Sequence, residues 1–229
     1  MNAVALLALF AVLFVGPHLV ISSNAIRPKL IGIIGEQPYR GAYSLIALAT
    51  LIPFVIIFAR NKHAGAMLWD LRGVEVIRGL TWLMMIAALI LLAGSFVTPN
   101  PGAIGATANN APRGILKVTR HPALMAFILF GFAHMLMNGW AGDLVFFGSF
   151  VALGILGGWH QDRRKLRELG EPYRQMMAAT SFFPGAAIVR GRQHWAGTDI
   201  PWIAAGLGVA AVVILVVIHP YVFGGYPLG

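Results

Sequence analysis

Six apolar stretches, near 2–22, 41–59, 79–98, 122–138, 141–159 and 200–218, take up most of this 229-residue chain. Runs of roughly 17 to 25 apolar residues are long enough, as helices, to cross the ~30 Å of hydrocarbon in a bilayer. Such uniform runs lack the alternation of a barrel strand, and a helix satisfies every backbone group within its own segment. The chain therefore reads as all-α, an integral membrane bundle of about six transmembrane helices. It forms one transmembrane domain over 1–229, with a cytoplasmic connection at about 160–199. The composition agrees: 58% of residues are hydrophobic and 11% charged, against about half and a quarter in soluble domains. No Lys or Arg precedes the first stretch and no small-residue cleavage site follows it, so that stretch is expected to remain as helix one. The segment Pro99–Arg113, rich in Pro, Gly, Asn and Ala, is expected to be the most flexible.

Basic residues set the orientation, because they favour the cytoplasmic side. The connections after the first, third and fifth stretches hold 13 Lys and Arg, and the opposite side holds four, Arg60, Lys62, Arg72 and Arg78. Both termini are therefore expected on the periplasmic side. The formal net charge of +9 follows from this arrangement and from contact with anionic lipid. The lipid bilayer is the expected partner, and no motif points to nucleic acid. The chain has no cysteine, which excludes disulfides, thiolate nucleophiles and cysteine metal ligands. A metal would rest on histidine, carboxylate or methionine.

Four of the seven histidines, His18, His121, His134 and His160, lie at or inside the apolar stretches. His63, His194 and His219 read as solvated or interfacial. An ionisable group inside a span is costly and turns toward the bundle interior, where it has a partner or a function. A helix opening at Pro122 carries Phe127, Phe130, Gly131, His134 and Asn138 on one face. His134 is then either a neutral imidazole bonding a neighbouring helix or a ligand, with Gly131 leaving room for a flat group. In "FVGPHLVISS", His18 shares a face with Ala11, Phe14 and Ser22, and Pro17 removes a backbone donor. The two helices run in opposite directions and side chains lean toward their own N-termini. His18 therefore leans deeper while His134 leans back, which permits two imidazoles to approach one iron without requiring it.

"GPHLVISS", "RPKL", "QPYRGAYSLIALATL" and "TRHPALMAFILFGFAHMLMNG", with the basic stretch after the fifth span, resemble the NnrU family. That family is named for bacterial denitrification genes and is related to plant and cyanobacterial zeta-carotene isomerase. The resemblance implies a bacterial inner-membrane protein that binds heme b, with His18 and His134 as axial ligands. It implies redox or isomerase chemistry on a hydrophobic small molecule, a role in nitrogen-oxide metabolism, or a part in assembling nitrogen-oxide reductases. In the carotenoid enzyme a cysteine exchanges with one histidine on reduction, and this chain has no cysteine to do so. On this reading the cofactor environment comprises His18, His134, Arg120, His121, Gly131 and Asn138, with Arg120 pairing a heme propionate or another anion at the start of the helix. A second resemblance, of "RHP" followed by "DRRKLRELGEPYRQ" and Pro184, is to membrane isoprenylcysteine and phospholipid methyltransferases. It implies S-adenosylmethionine as cofactor, with Arg120, His121 and Arg163 neutralising charge. Paired glutamates usual in that pattern are Gln161 and Asp162 here.

The basic-residue asymmetry gives a direct test of orientation. A periplasm-dependent reporter fused after Gly229 should be active and a cytoplasm-dependent one silent. The reverse result would overturn the assigned topology.

Overall fold

The computed structural model describes residues 2–98 and 112–225 and divides into two compact units. The first is drawn from Met1–Thr81 and Gly131–His160, the second from Trp82–Phe130 and Gln161–Gly229. Of the segment expected to be flexible, residues 99–111 lie outside the described residues.

The first unit is built on α1 (Ala3–Ile21), α2 (Arg27–Ile34) and α3 (Glu36–Arg60). Asn2 caps α1, its side-chain oxygen accepting the Ala5 amide at 2.8 Å. Leu7 and Phe14, seven residues apart and so on one face, are buried with the fully buried Phe54 of α3. Each such ring removed from polar surroundings contributes roughly 1.5–3 kcal/mol in an aqueous reference. The Tyr39 hydroxyl of α3 donates to the Ile21 carbonyl at 3.2 Å, satisfying an orphan acceptor at the end of α1. Outward-facing Val12, Leu45 and Val76, 67, 68 and 80% exposed, fit a surface solvated by lipid chains rather than water.

The same unit takes the later part of α6 (Pro122–Met137) and most of α7 (Ala141–Leu169). A short antiparallel ribbon, β1 (Met67–Trp69) on β2 (Gly139–Trp140), closes the turn between these two helices. Gly139 is required there because any Cβ would run into the Trp69 carbonyl. Gly131 serves the packing of α6 on α7. A Cβ at Gly131 would sit 2.6 Å from both the Phe147 carbonyl oxygen and Val151 Cγ2. The room expected at Gly131 for a flat cofactor is thus taken by the backbone of α7, a small-residue contact of the kind that brings membrane helices close.

The second unit contains the later part of α4 (Glu75–Val97), then α5 (Ile115–Val118), the start of α6, the end of α7, α8 (Glu171–Ala179), α9 (Ala186–Val189) and α10 (Trp202–Phe223). Gly208 of α10 lies against Ile90 of α4 so closely that an added Cβ would stand 2.6 Å from Ile90 Cγ1. Gly94 similarly receives the Ile115 side chain.

The all-α class holds, with the two-stranded ribbon as the departure. Among the described residues five helices, α1, α3, α4, α7 and α10, are long and apolar enough to span a membrane, rather than six. The fourth expected span, α6, has only 16 residues because Asn138 and Gly139 end it. The fifth does not stop near 159. It continues through the basic stretch to Leu169, 29 residues in all, since Arg, Lys, Leu and Glu are good helix formers. It ends where Gly170 takes a left-handed φ of 62°. Much of the expected cytoplasmic connection is therefore helical.

Replacing Gly131 with Ala should cost about 1–3 kcal/mol, because neither the α7 backbone nor a β-branched Val151 can yield easily. Gly148→Ala, whose new methyl would meet Met135 Sδ at an ordinary 3.8 Å, should be nearly neutral. Thermal unfolding of the two variants in detergent checks the contrast, and equal effects would contradict it.

Candidate functional site

The RHP motif organises the polar centre of the second unit. Thr119, fully buried in an extended conformation, donates its hydroxyl to the Phe182 carbonyl at 2.6 Å and accepts the His121 amide at 3.2 Å. The Arg120 amide donates to the Ser181 carbonyl at 3.0 Å. Residues 119–121 are thereby fixed along 181–182 before Pro122 opens α6, where a missing amide hydrogen costs nothing. From this base the Arg120 and His121 side chains both reach Asp162 on α7. Arg120 donates through Nε at 3.0 Å and Nη2 at 2.6 Å to Asp162 Oδ2, and His121 Nε2 donates to Oδ1 at 2.8 Å. Tyr173 of α8 donates its hydroxyl to Oδ1, also at 2.8 Å. His121 Nδ1 meets the Gln161 amide oxygen at 3.0 Å.

Asp162 is 6% exposed, His121 2% and Tyr173 fully buried. A carboxylate in such a site is tolerable only when its lone pairs are filled and its charge is matched, and here both conditions are met within the chain. Burial, and after it the Asp162 carboxylate, push the Tyr173 phenol well above its ordinary range, partly opposed by Arg120 and Arg164. Arg120 was expected to face a propionate or another anion; its fork is instead closed on Asp162. His121 is equally committed. Of the three residues that the methyltransferase resemblance would turn toward a cofactor, Arg120 and His121 are both turned onto Asp162.

The first unit holds the other expected residues. Pro17 lies inside α1, and one residue on, the His18 side chain folds back so that Nδ1 donates to the Phe14 carbonyl at 2.6 Å. Nε2 of His18 has no hydrogen-bond partner among the described residues. Its ring meets Phe14 at 4.9 Å and Tyr43 edge-on at 5.5 Å between centroids. His134 of α6 stacks on Phe147 of α7 at 4.6 Å and 23°. A continuous series of ring contacts connects the two imidazoles: Phe14 to Phe150 at 5.5 Å, Phe150 to Phe146 at 5.4 Å, and Phe146 to Phe147 at 5.1 Å. Asn138 ends α6, its amide nitrogen donating to the His134 carbonyl at 2.8 Å, so it fixes the backbone of His134. His160 of α7 has its Nε2 buried with no hydrogen-bond partner among the described residues. Among the described residues no three His, Asp or Glu groups converge as a metal cage, so an iron here would depend on a pair of imidazoles.

Two features are absent from the sequence reading. His63, read as a solvated loop residue, takes a left-handed φ of 57° and binds the fully buried Asp143 through Nδ1 at 2.7 Å and its amide at 3.1 Å. Asp162 and Tyr173 likewise form the hub that RHP serves. The signal available for both acids was a carboxylate at either edge of an otherwise apolar segment, which demands a partner.

The family described as NnrU protein matches residues 6–227. The chain is similar to the chloroplastic 15-cis-zeta-carotene isomerase of maize, Zea mays, with 29% identity over 170 residues, and to that of Arabidopsis thaliana, with 28% over 172. Each alignment covers 70% of this chain and 44% of the relative, so the chain spans less than half the length of the curated relatives it matches. No solved structure matches.

Asp162→Asn should destabilise the protein by about 3–5 kcal/mol, since it leaves the Arg120 charge buried without its counterion. The Tyr173 phenol gives the hub a pH signature. Its folded pKa lies above the unfolded value, so the stability it contributes is complete below about pH 10 and is lost as pH rises beyond that. Melting curves between pH 8 and 11, taken as roughly spanning that titration, should fall more steeply for the native chain than for Tyr173→Phe. Parallel curves would contradict the assignment.

Proposed function

The chain belongs to the NnrU family, and on that premise we propose that it is a heme b-binding, isomerase-like membrane protein that acts on a long apolar, double-bonded substrate, with His18 and His134 holding the heme. The single observation that carries the proposal is the state of the His18 ring. Its Nδ1 is anchored to the Phe14 carbonyl at 2.6 Å while Nε2 has no hydrogen-bond partner among the described residues. Metal-binding imidazoles are oriented in this way, with the second nitrogen donating to a carbonyl that fixes tautomer and angle. The donor set also fits: two imidazoles in one unit, with no cysteine, suit a low-spin heme iron.

Heme bound there supplies a redox-active iron in apolar surroundings. The chain's own part is separate. Phe14 orients His18, Asn138 fixes the backbone at His134, and Phe147 stacks on the His134 ring. Phe14, Phe146, Phe147 and Phe150 exclude water and offer ring faces to an extended conjugated chain. The two plant relatives are named as isomerases of 15-cis-zeta-carotene, and geometric isomerisation of a comparable polyene is the reaction class proposed for this chain. A hydrocarbon of that kind would arrive from the bilayer. The basic-residue asymmetry supports an orientation with both termini periplasmic.

Protein purified from heme-sufficient cells should show a Soret band with a low-spin spectrum in both oxidation states. His18→Ala and His134→Ala should each lose heme or turn it high-spin, whereas His63→Ala and His194→Ala should retain the native spectrum. Absence of a Soret band from the native chain would overturn the proposal.

A further inference from the structure

Arg164 is a buried cation that makes no hydrogen bond to any described residue, its ion-pair partner Glu168 standing 3.7 Å away. It lies on α7 in the second unit, two residues beyond Asp162, and is 8% exposed. Its Nε is buried with no hydrogen-bond partner, and the same guanidinium makes no hydrogen bond to any described residue. Asp162 cannot serve it, because both carboxylate oxygens are filled by Arg120, His121 and Tyr173. The other nearby acid, Glu168, has its Oε1 3.7 Å from Arg164 Nε, outside hydrogen-bonding reach. Its Oε2 lies 3.5 Å from the Nζ of Lys165, which is 4% exposed. One carboxylate with 29% of its side chain exposed thus stands between two buried cations.

A guanidinium taken out of water without acceptors is strongly unfavourable, whereas the same group with an oxyanion across its fork makes short, charge-assisted bonds. We propose that Arg164, with Lys165 beside it, is a binding site for an oxyanion, the phosphate or carboxylate group of an anionic ligand. Planar guanidinium matches such a group in a bidentate manner and Lys165 adds a point charge. The tight Arg120–Asp162 pair keeps the neighbouring carboxylate from competing. This site uses none of the residues proposed to hold heme and stands or falls independently of that reading.

The test uses the full chain in phosphatidylcholine nanodiscs, with inorganic phosphate as one probe and discs containing phosphatidic acid as the other. Native protein should melt several degrees higher with an anion present, through linkage to binding. Arg164→Gln should require roughly tenfold or more probe for the same shift, in keeping with the loss of charged hydrogen bonds. In phosphatidylcholine alone that variant should be at least as stable as the native chain, because a buried charge with no hydrogen bond has been removed. Arg174→Gln, at an exposed arginine paired with Glu171, should respond like the native chain. A response to inorganic phosphate assigns a free anion, and a response to phosphatidic acid alone assigns a lipid headgroup. The proposal is overturned if neither probe stabilises the native chain, if Arg164→Gln responds unchanged, or if Arg164→Gln is less stable than the native chain without anion.

Discussion

A buried carboxylate, Asp162, is the constraint on which the polar half of this protein depends. It sits where an apolar stretch of α7 gives way to a basic one, and two elements supply its donors: the RHP segment and α8. None of these groups is free to leave singly, since each departure would strand a charge or a lone pair in low dielectric. The chain order follows from this. RHP precedes Pro122 so that arginine and histidine are presented from fixed backbone as a helix begins, and the acid that receives them comes from the end of the helix that follows.

The apolar half solves a different problem by different means. There a carboxylate, the buried Asp143, meets one histidine, His63. His18 is steadied by a carbonyl of its own helix, and His134 by an aromatic face. The phenylalanine series between them lets three helices, α1, α3 and α7, approach through rings, with Phe58 stacked on Phe146 at 3.9 Å. Glycine at 131 then permits α6 to close on α7. Neutral imidazole is the form that a metal takes as ligand and that hydrocarbon tolerates.

Much of the fold was legible in the sequence, because lipid leaves a chain few choices. Uniform apolar runs of span length gave the helices, and histidines inside them marked where polar chemistry had to be. The misses have physical causes. The end of the fifth span was placed at the loss of hydrophobicity, yet helix continuity is set by backbone propensity, and nothing from Asp162 to Leu169 breaks a helix. Arg120 was read as reaching for a ligand because a basic residue at a helix start favours anions, and the intramolecular acid 42 residues away carried no local sign of pairing. Gly131 was read as empty room. A glycine in a membrane helix is ambiguous between a ligand's space and a neighbour's backbone, and only the position of α7 decides. The His63–Asp143 pair was invisible for the same reason, since it joins residues 80 apart.

The buried acid of the first unit has a consequence of its own. Asp143, fully buried in the first turn of α7, accepts the His63 amide and meets the His63 ring, so the loop that follows α3 is tied to the start of α7. Removing that one carboxylate would release a loop and a helix end together, and the two would fray as a pair.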